Sequence, residues 1–304
     1  MVEAPTSAVV HRSRSDRPQA ARRVYRPLHG VLLLDKPIGL SSNDALQKAR
    51  RLLRAEKGGH TGTLDLLATG LLPLCFGAAT KFAQVSLEAD KAYRAVVALG
   101  TRMSTGDLEG EPIEQRPVPA LDRAAVQSVC DALLGEIEQV PPMHSALKHQ
   151  GRALYDYARA GLEIERAPRR VRLHSIEVLP RADAGDAGRA PGGASAHWTI
   201  DVRCSKGTYI RTLAEAIGEA LGCGAHLAAL RRTASGPLSL DRAISLPALE
   251  ALDEAQREAL LLRPDALLSD WPAVSLVDTE AARFLTGLRR RVTLPEQPCV
   301  RVYG

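Results

Sequence analysis

The sequence predicts an α+β fold in which a mixed β-sheet carries flanking helices. Strand-like and helix-like stretches are interspersed along its 304 residues, without the regular strand–helix alternation of a doubly wound sheet. Hydrophobic residues make up 45% and charged residues 25%, ordinary for a globular chain with a sizeable core and a small second module. No apolar run approaches the roughly 18 residues needed to span a bilayer, and the first residues lack an apolar signal core. The five cysteines, at 75, 130, 204, 223 and 299, form no Cys-x-x-Cys pair. That argues against a disulfide framework or zinc knuckle, and for a reducing, cytoplasmic compartment.

Residues 1–27 read as a flexible basic tail. Six arginines stand there against Glu3 and Asp16, so +4 of the chain's net +5 belongs to the tail. The body has little net charge, and any polyanion it binds must meet a local patch. Residues 30–37, a short apolar run closed by Pro37, predict a buried strand. Ser41 and Asp44 have capping-box spacing, and Leu46, Ala49, Leu52 and Leu53 continue at helical spacing. Residues 58–73, with four glycines, fit no long element and predict tight turns. Tyr93, Ala95, Val97 and Leu99 fall on one face of a strand over 91–100. Helices are predicted over 121–134 and 152–160, the second ending at Gly161.

Val171 and Leu173, then Ile176 and Val178, predict a strand with a bulge. Residues 182–196 predict a surface loop. Trp198, Ile200, Val202 and Cys204 alternate as a strand; Leu213, Ile217 and Leu221 mark a helix stopped by Gly222; 227–233 is the next strand. One helical region is expected from Leu246 to Leu262, then a linker over 264–272, a short helix at 279–287 and a strand at 300–303.

The glycine-rich stretch lacks the Gly-x-x-x-x-Gly-Lys-Ser/Thr pattern of a phosphate loop, and no His-Glu-x-x-His or Gly-x-Ser-x-Gly motif occurs. What remains is Asp65, alone between Leu64 and Leu66 in a tight turn, where it either caps the turn or does chemistry. Tyr93, an aromatic near the end of the strand that Lys91 opens, reads without further context as a core tyrosine. Arg211 reads as a surface residue or as the partner that would hold an aspartate ionised. Tyr209 shares its direction only if the chain is still extended there. His60 could cap the same turn or stack on a base.

Five segments together resemble the bacterial tRNA pseudouridine-55 synthase family: Gly30-Val31-Leu32-Leu33-Leu34-Asp35-Lys36-Pro37, Gly59-His60-Thr61-Gly62-Thr63-Leu64-Asp65, Ala68-Thr69-Gly70, Lys91-Ala92-Tyr93, and Ser205-Lys206-Gly207-Thr208-Tyr209-Ile210-Arg211-Thr212-Leu213. Residues 141–148 and 222–232 are similar too, and the order agrees across about 28–262. The resemblance implies a pseudouridine-synthase catalytic domain over 28–262 and a partial PUA-like C-terminal module, with its linker, over 263–304. It implies isomerisation of uridine 55 in the T-arm stem-loop of tRNA, with no cofactor, no metal, no membrane and no obligatory protein partner, by a monomer. By motif position Asp65 matches the catalytic aspartate, Tyr93 the tyrosine that stacks on the base and is a candidate for proton transfer, and Arg211 the aspartate's partner. Tyr209 and Leu230 match residues lining the uridine pocket. His60 matches the histidine that enters the T-loop, and Lys36 and Pro37 a motif supporting the site.

Leu66 stands where the family usually has proline, which predicts a looser turn. The rivals are an RNA-binding or tRNA-folding protein on the same scaffold, a relative acting with guide RNA and partner proteins, and a glycoside hydrolase. A hydrolase normally needs two carboxylates where one is found.

Overall fold

The computed structural model describes residues 24–180, 197–287 and 299–304. Most of the basic tail and the predicted 182–196 loop lie outside them. The first half runs β1 (Gly30–Lys36), α1 (Ser42–Leu52), β2 (Gly58–His60), β3 (Thr69–Phe76), α2 (Ala83–Glu88), β4 (Lys91–Leu99), β5 (Thr101–Met103), β6 (Pro112–Gln115), α3 (Arg123–Ala132) and β7 (Gly135–Gln139). After the short pair β8 (Lys148–His149) and β9 (Arg152–Ala153) come α4 (Leu154–Arg159), β10 (Arg169–Val178), β11 (His197–Cys204), α5 (Ile210–Ala220) and β12 (Ala225–Ser235). The chain closes with β13 (Leu238–Ser239), β14 (Ile244–Ser245), α6 (Leu246–Ala251), α7 (Glu254–Ala259), β15 (Ala273–Ser275), α8 (Asp278–Leu285) and β16 (Arg301–Tyr303).

The large sheet has the order β14-β1-β3-β12-β4-β11-β10-β7, with β2 beside β3 and β13 beside β12. It is mixed, as the sequence predicts: β1–β14 and β3–β12 are parallel and the other pairs antiparallel. The bulge expected in β10 is a register shift between Leu173 and Ser175. It lets Val171 and Leu173, then Ile176 and Val178, all reach the core.

One core packs α3 and α5 on β4, β10, β11 and β12, with Ala95, Val97, Leu99, Leu213 and Ile217 buried. A second packs α1 and α6 on β1 and β3 through Leu32, Leu34, Leu72 and Leu74. Tyr93 and Leu230 pack against both. Val31, Leu33, Leu71 and Cys75 point the other way, into a third cluster with Leu267. Each fully buried leucine contributes about 1.5–3 kcal/mol.

Four expectations change. Residues 69–76 form a full strand inside the stretch read as turns, because β3 is apolar on both faces and shows no alternation. The helical region 246–262 is two short helices: Leu252 is extended, and Asp253 caps α7 with a reciprocal box to Gln256. The expected linker contains a 3₁₀ turn, Pro264–Leu268, whose Leu267 and Leu268 are buried against the sheet. The tail reading also ends earlier than 27. Arg26 exchanges backbone hydrogen bonds with Arg54 and Glu56, and its guanidinium lies 2.8 Å from Glu258.

Candidate active site

The seam between the two halves is the parallel contact of β3 and β12, registered only at Arg231 with Thr69 and Arg232 with Gly70. Gly70 has φ +97°, and a Cβ there would stand 2.3 Å from the Arg232 carbonyl, so only glycine admits this approach. A cleft of ≈ 240 Å³ opens beside the seam, lined among others by Asp65, Tyr93, Tyr209, Arg211, Leu230 and Arg232. Of the residues predicted for the site, Asp65, Tyr93, Tyr209, Arg211 and Leu230 are therefore brought together. His60 and Lys36 do not line this cleft.

Asp65 sits on the loop that enters β3. Thr61 N–H donates to the Pro73 carbonyl, Ala68 N–H to the Asp65 carbonyl, and Gly39 N–H to the Leu66 carbonyl at 2.9 Å. Ser42, buried at the start of α1, accepts the Leu64 amide at 2.8 Å and donates to the Leu64 carbonyl at 3.1 Å. The backbone next to Asp65 is thus clamped from both sides. Arg211 Nη2 lies 3.0 Å from Asp65 Oδ2. The arginine side chain is 5% exposed, whereas Asp65 keeps 42% of its exposure through the cleft mouth.

Arg211 is itself held. Nη2 donates to the His144 carbonyl at 2.7 Å, Nη1 donates to the Thr105 carbonyl, and Asp107 Oδ2 lies 3.6 Å from Nη1. The sequence raised the alternative that Tyr209 and Arg211 diverge if the helix had begun. Tyr209 is the extended N-cap of α5 and Arg211 is already helical, yet both border the cleft. Gln139 fixes Tyr209 by accepting its N–H at 3.0 Å and donating to its carbonyl.

Loss of water raises the Asp65 carboxyl above the ordinary carboxylate value; Arg211 opposes this, Asp107 adds to it and Lys36 opposes it. Lys36 is wholly buried and donates to the Pro37 and Leu40 carbonyls at 3.0 and 2.7 Å. Burial lowers it to about 8, against the pull of Asp65. It props the turn behind the loop. His60 stands on β2 with its Nδ1 buried and without a hydrogen-bond partner among the described residues, and burial, then Arg232, keeps its ring below the usual value.

Sequence reasoning missed Asp107, Ser42, Gln139 and Arg232 as site residues. Asp107 lies in the polar turn Gly106–Gly110, which reads as solvated, yet it is buried. Arg232 carried a usable signal: in a strand it shares a face with Leu230. The assembled groups are one carboxylate held by an arginine, a phenol, and an apolar wall. That set can supply nucleophilic or acid–base chemistry to a ligand in the cleft.

Residues 50–210 match the TruB family pseudouridylate synthase N-terminal domain, and residues 211–269 the tRNA pseudouridylate synthase B C-terminal domain. Similar curated proteins include the tRNA pseudouridine synthase B of Cupriavidus taiwanensis, 61% identical over 96% of this chain and 91% of that protein. That of Ralstonia nicotianae is 58% identical over 94% of this chain and 89% of its own. Among solved structures, a Cbf5-Nop10-Gar1 complex matches with a TM-score of 0.63 and 28% identity, over 86% of this chain and 68% of that one. A box H/ACA particle bound to a substrate RNA containing 2′-deoxyuridine matches at 0.60 and 27%, over 86% and 67%. The two matched domains and the relatives of high identity show that the chain belongs to the TruB family of pseudouridylate synthases, which are isomerases.

Proposed function

We propose that the chain converts uridine 55 in the T-arm of tRNA to pseudouridine, acting as a cytoplasmic monomer. Its catalytic unit would be 28–262, with 263–304 as a C-terminal RNA-contacting module. The observation that carries the reading is the Asp65–Arg211 pair at 3.0 Å, at the mouth of a cleft walled by Tyr93 and Leu230. The relatives named tRNA pseudouridine synthase B support tRNA as the substrate.

The isomerisation breaks the N1–C1′ bond, turns the uracil and joins C5 to C1′; C5 loses a hydrogen and N1 gains one. It is redox-neutral. The uridine must leave the folded loop, at a cost of a few kcal/mol. Stacking on Tyr93 returns about 1–3 kcal/mol. His60, on edge strand β2, is the group proposed to enter the space the base vacates. Asp65 then acts either as nucleophile at C1′ or as base toward the sugar, a carboxylate chemistry familiar from glycoside cleavage. Arg211 holds the carboxylate in place through the reaction.

The test is release of tritium from tRNA carrying C5-tritiated uridine. The protein should release it from an unmodified transcript and not from one with cytidine at position 55. Asp65→Asn should abolish release while leaving tRNA affinity within a few-fold, since most binding comes from phosphate and stacking contacts. Full turnover by the Asn variant would remove Asp65 from the mechanism, and release from the cytidine-55 transcript would reject the site assignment.

A further inference from the structure

Arg232 is a buried cation that the scheme above leaves idle. Its side chain lies in the cleft wall, 1% exposed, and among the described residues no carboxylate forms an ion pair with it. Nε donates to the Leu71 carbonyl at 2.7 Å and Nη2 to the Gly62 carbonyl at 3.3 Å. Arg232 and Tyr93 are directly opposite each other on β12 and β4, so their side chains leave the sheet on the same face. Both side chains line the cleft, and the guanidinium is the neighbour that favours ionisation of the Tyr93 phenol.

The polarity of any hydrogen bond between these two groups is forced. A guanidinium carries donors only, so the phenol oxygen must accept, and the phenol's own hydrogen is free for another partner. Tyr93 borders the cleft, where a flipped base would lie. A buried cation without a carboxylate is costly unless something negative appears beside it. A phenolate formed on Tyr93 would be that charge.

We propose that Arg232 is the positioning residue for Tyr93: it anchors the phenol oxygen as an acceptor, turns the hydroxyl hydrogen into the cleft, and stabilises the phenolate while that proton is away. This rests on the proposed isomerisation. The protons balance if Tyr93 gives its hydrogen to N1 of the detached uracil and takes back the hydrogen released from C5. Burial, Cys204 and Asp65 oppose ionisation of the phenol, and Arg232 is the neighbour that favours it.

The experiment places 3,5-difluorotyrosine at position 93, whose more acidic phenol titrates while the protein stays folded and whose ¹⁹F shift reports its charge. It needs no RNA, so it stands or falls independently of the substrate assignment. Arg232→Gln should raise the titration midpoint by about one pH unit or more, as expected when a neighbouring charge is lost. Arg232→Lys should raise it less, because one ammonium cannot reproduce the planar fork. An unchanged midpoint in Arg232→Gln overturns the proposal; if only the Lys variant folds, an unchanged midpoint there does so. Single-turnover rates on tRNA supply a second reading. Arg232→Gln should slow the natural protein roughly 100-fold, the scale of a proton-transfer contribution, and slow a Tyr93→Phe background less than about threefold, because coupled groups are not additive. Equal slowing in both backgrounds would mean that Arg232 acts apart from Tyr93.

Discussion

The Ser42 hydroxyl closes both backbone groups of Leu64, accepting its N–H at 2.8 Å and donating to its carbonyl at 3.1 Å. One side chain on α1 thereby sets the residue that precedes Asp65. Ser42→Ala leaves two buried backbone groups unpaired, at a cost of about 1–3 kcal/mol. The single-turnover rate should fall by roughly tenfold to a hundredfold, since small misplacements of a reacting group are expensive. KM should hardly move. Thermal denaturation and single-turnover kinetics check this, and an unaltered rate would mean that the loop keeps its place without the serine.

Arg211→Lys should cut the rate and move the acid limb of the pH profile upward. Arg211 is the largest influence holding the Asp65 carboxyl down against burial. A weaker contact therefore lets the carboxyl rise further, and the active ionised form is lost at higher pH as the solution is acidified. A kcat–pH profile on T-arm stem-loop decides; coincident limbs would show that the pair does not tune Asp65.

Asp107→Asn should move the same limb the other way. Asp107 raises the Asp65 carboxyl, so neutralising it lets Asp65 ionise more readily. The rate should nevertheless fall, because Arg211 loses a negative neighbour 3.6 Å from Nη1. Opposite shifts from Asp107→Asn and Arg211→Lys would be hard to obtain from loss of folding alone. A shift in the same direction for both would contradict the electrostatic assignment.

Leu66→Pro should stabilise the protein by about 0.4–1 kcal/mol without slowing it. Leu66 is 40% exposed and is the first of two residues spanned by the Ala68-to-Asp65 hydrogen bond, a position that suits proline. The turn forms with leucine, and Gly39 and Ser42 hydrogen-bond the backbone on either side of Asp65. Calorimetry reads the gain, and a lowered melting temperature would show that the local backbone does not fit proline.

Much of this protein is determined by its sequence alone. The alternation of Tyr93, Ala95, Val97 and Leu99, and of Trp198, Ile200, Val202 and Cys204, declares β4 and β11 because each strand packs one face on a core. The spacing around residue 173 declares the bulge of β10, and Ser41 declares the start of α1. The motif carrying Asp65, and those carrying Tyr93 and Arg211, are legible as a family resemblance. Periodicity is silent on β3, which is apolar on both faces, and on the break between α6 and α7, which a new cap makes inside a continuous helical pattern.

Tertiary structure alone decided which charges meet. Asp107, in a polar turn, is only 2% exposed, and Arg232, on the strand face it shares with Leu230, is 1% exposed. Nothing near Asp65 in sequence says that its carboxyl is raised rather than held down; that balance depends on burial and on residues 42 and 146 positions further along the chain. Burial and field strength are sums over neighbours in space. A local pattern can place a side chain on a face, but it cannot say which distant strand or turn will cover that face.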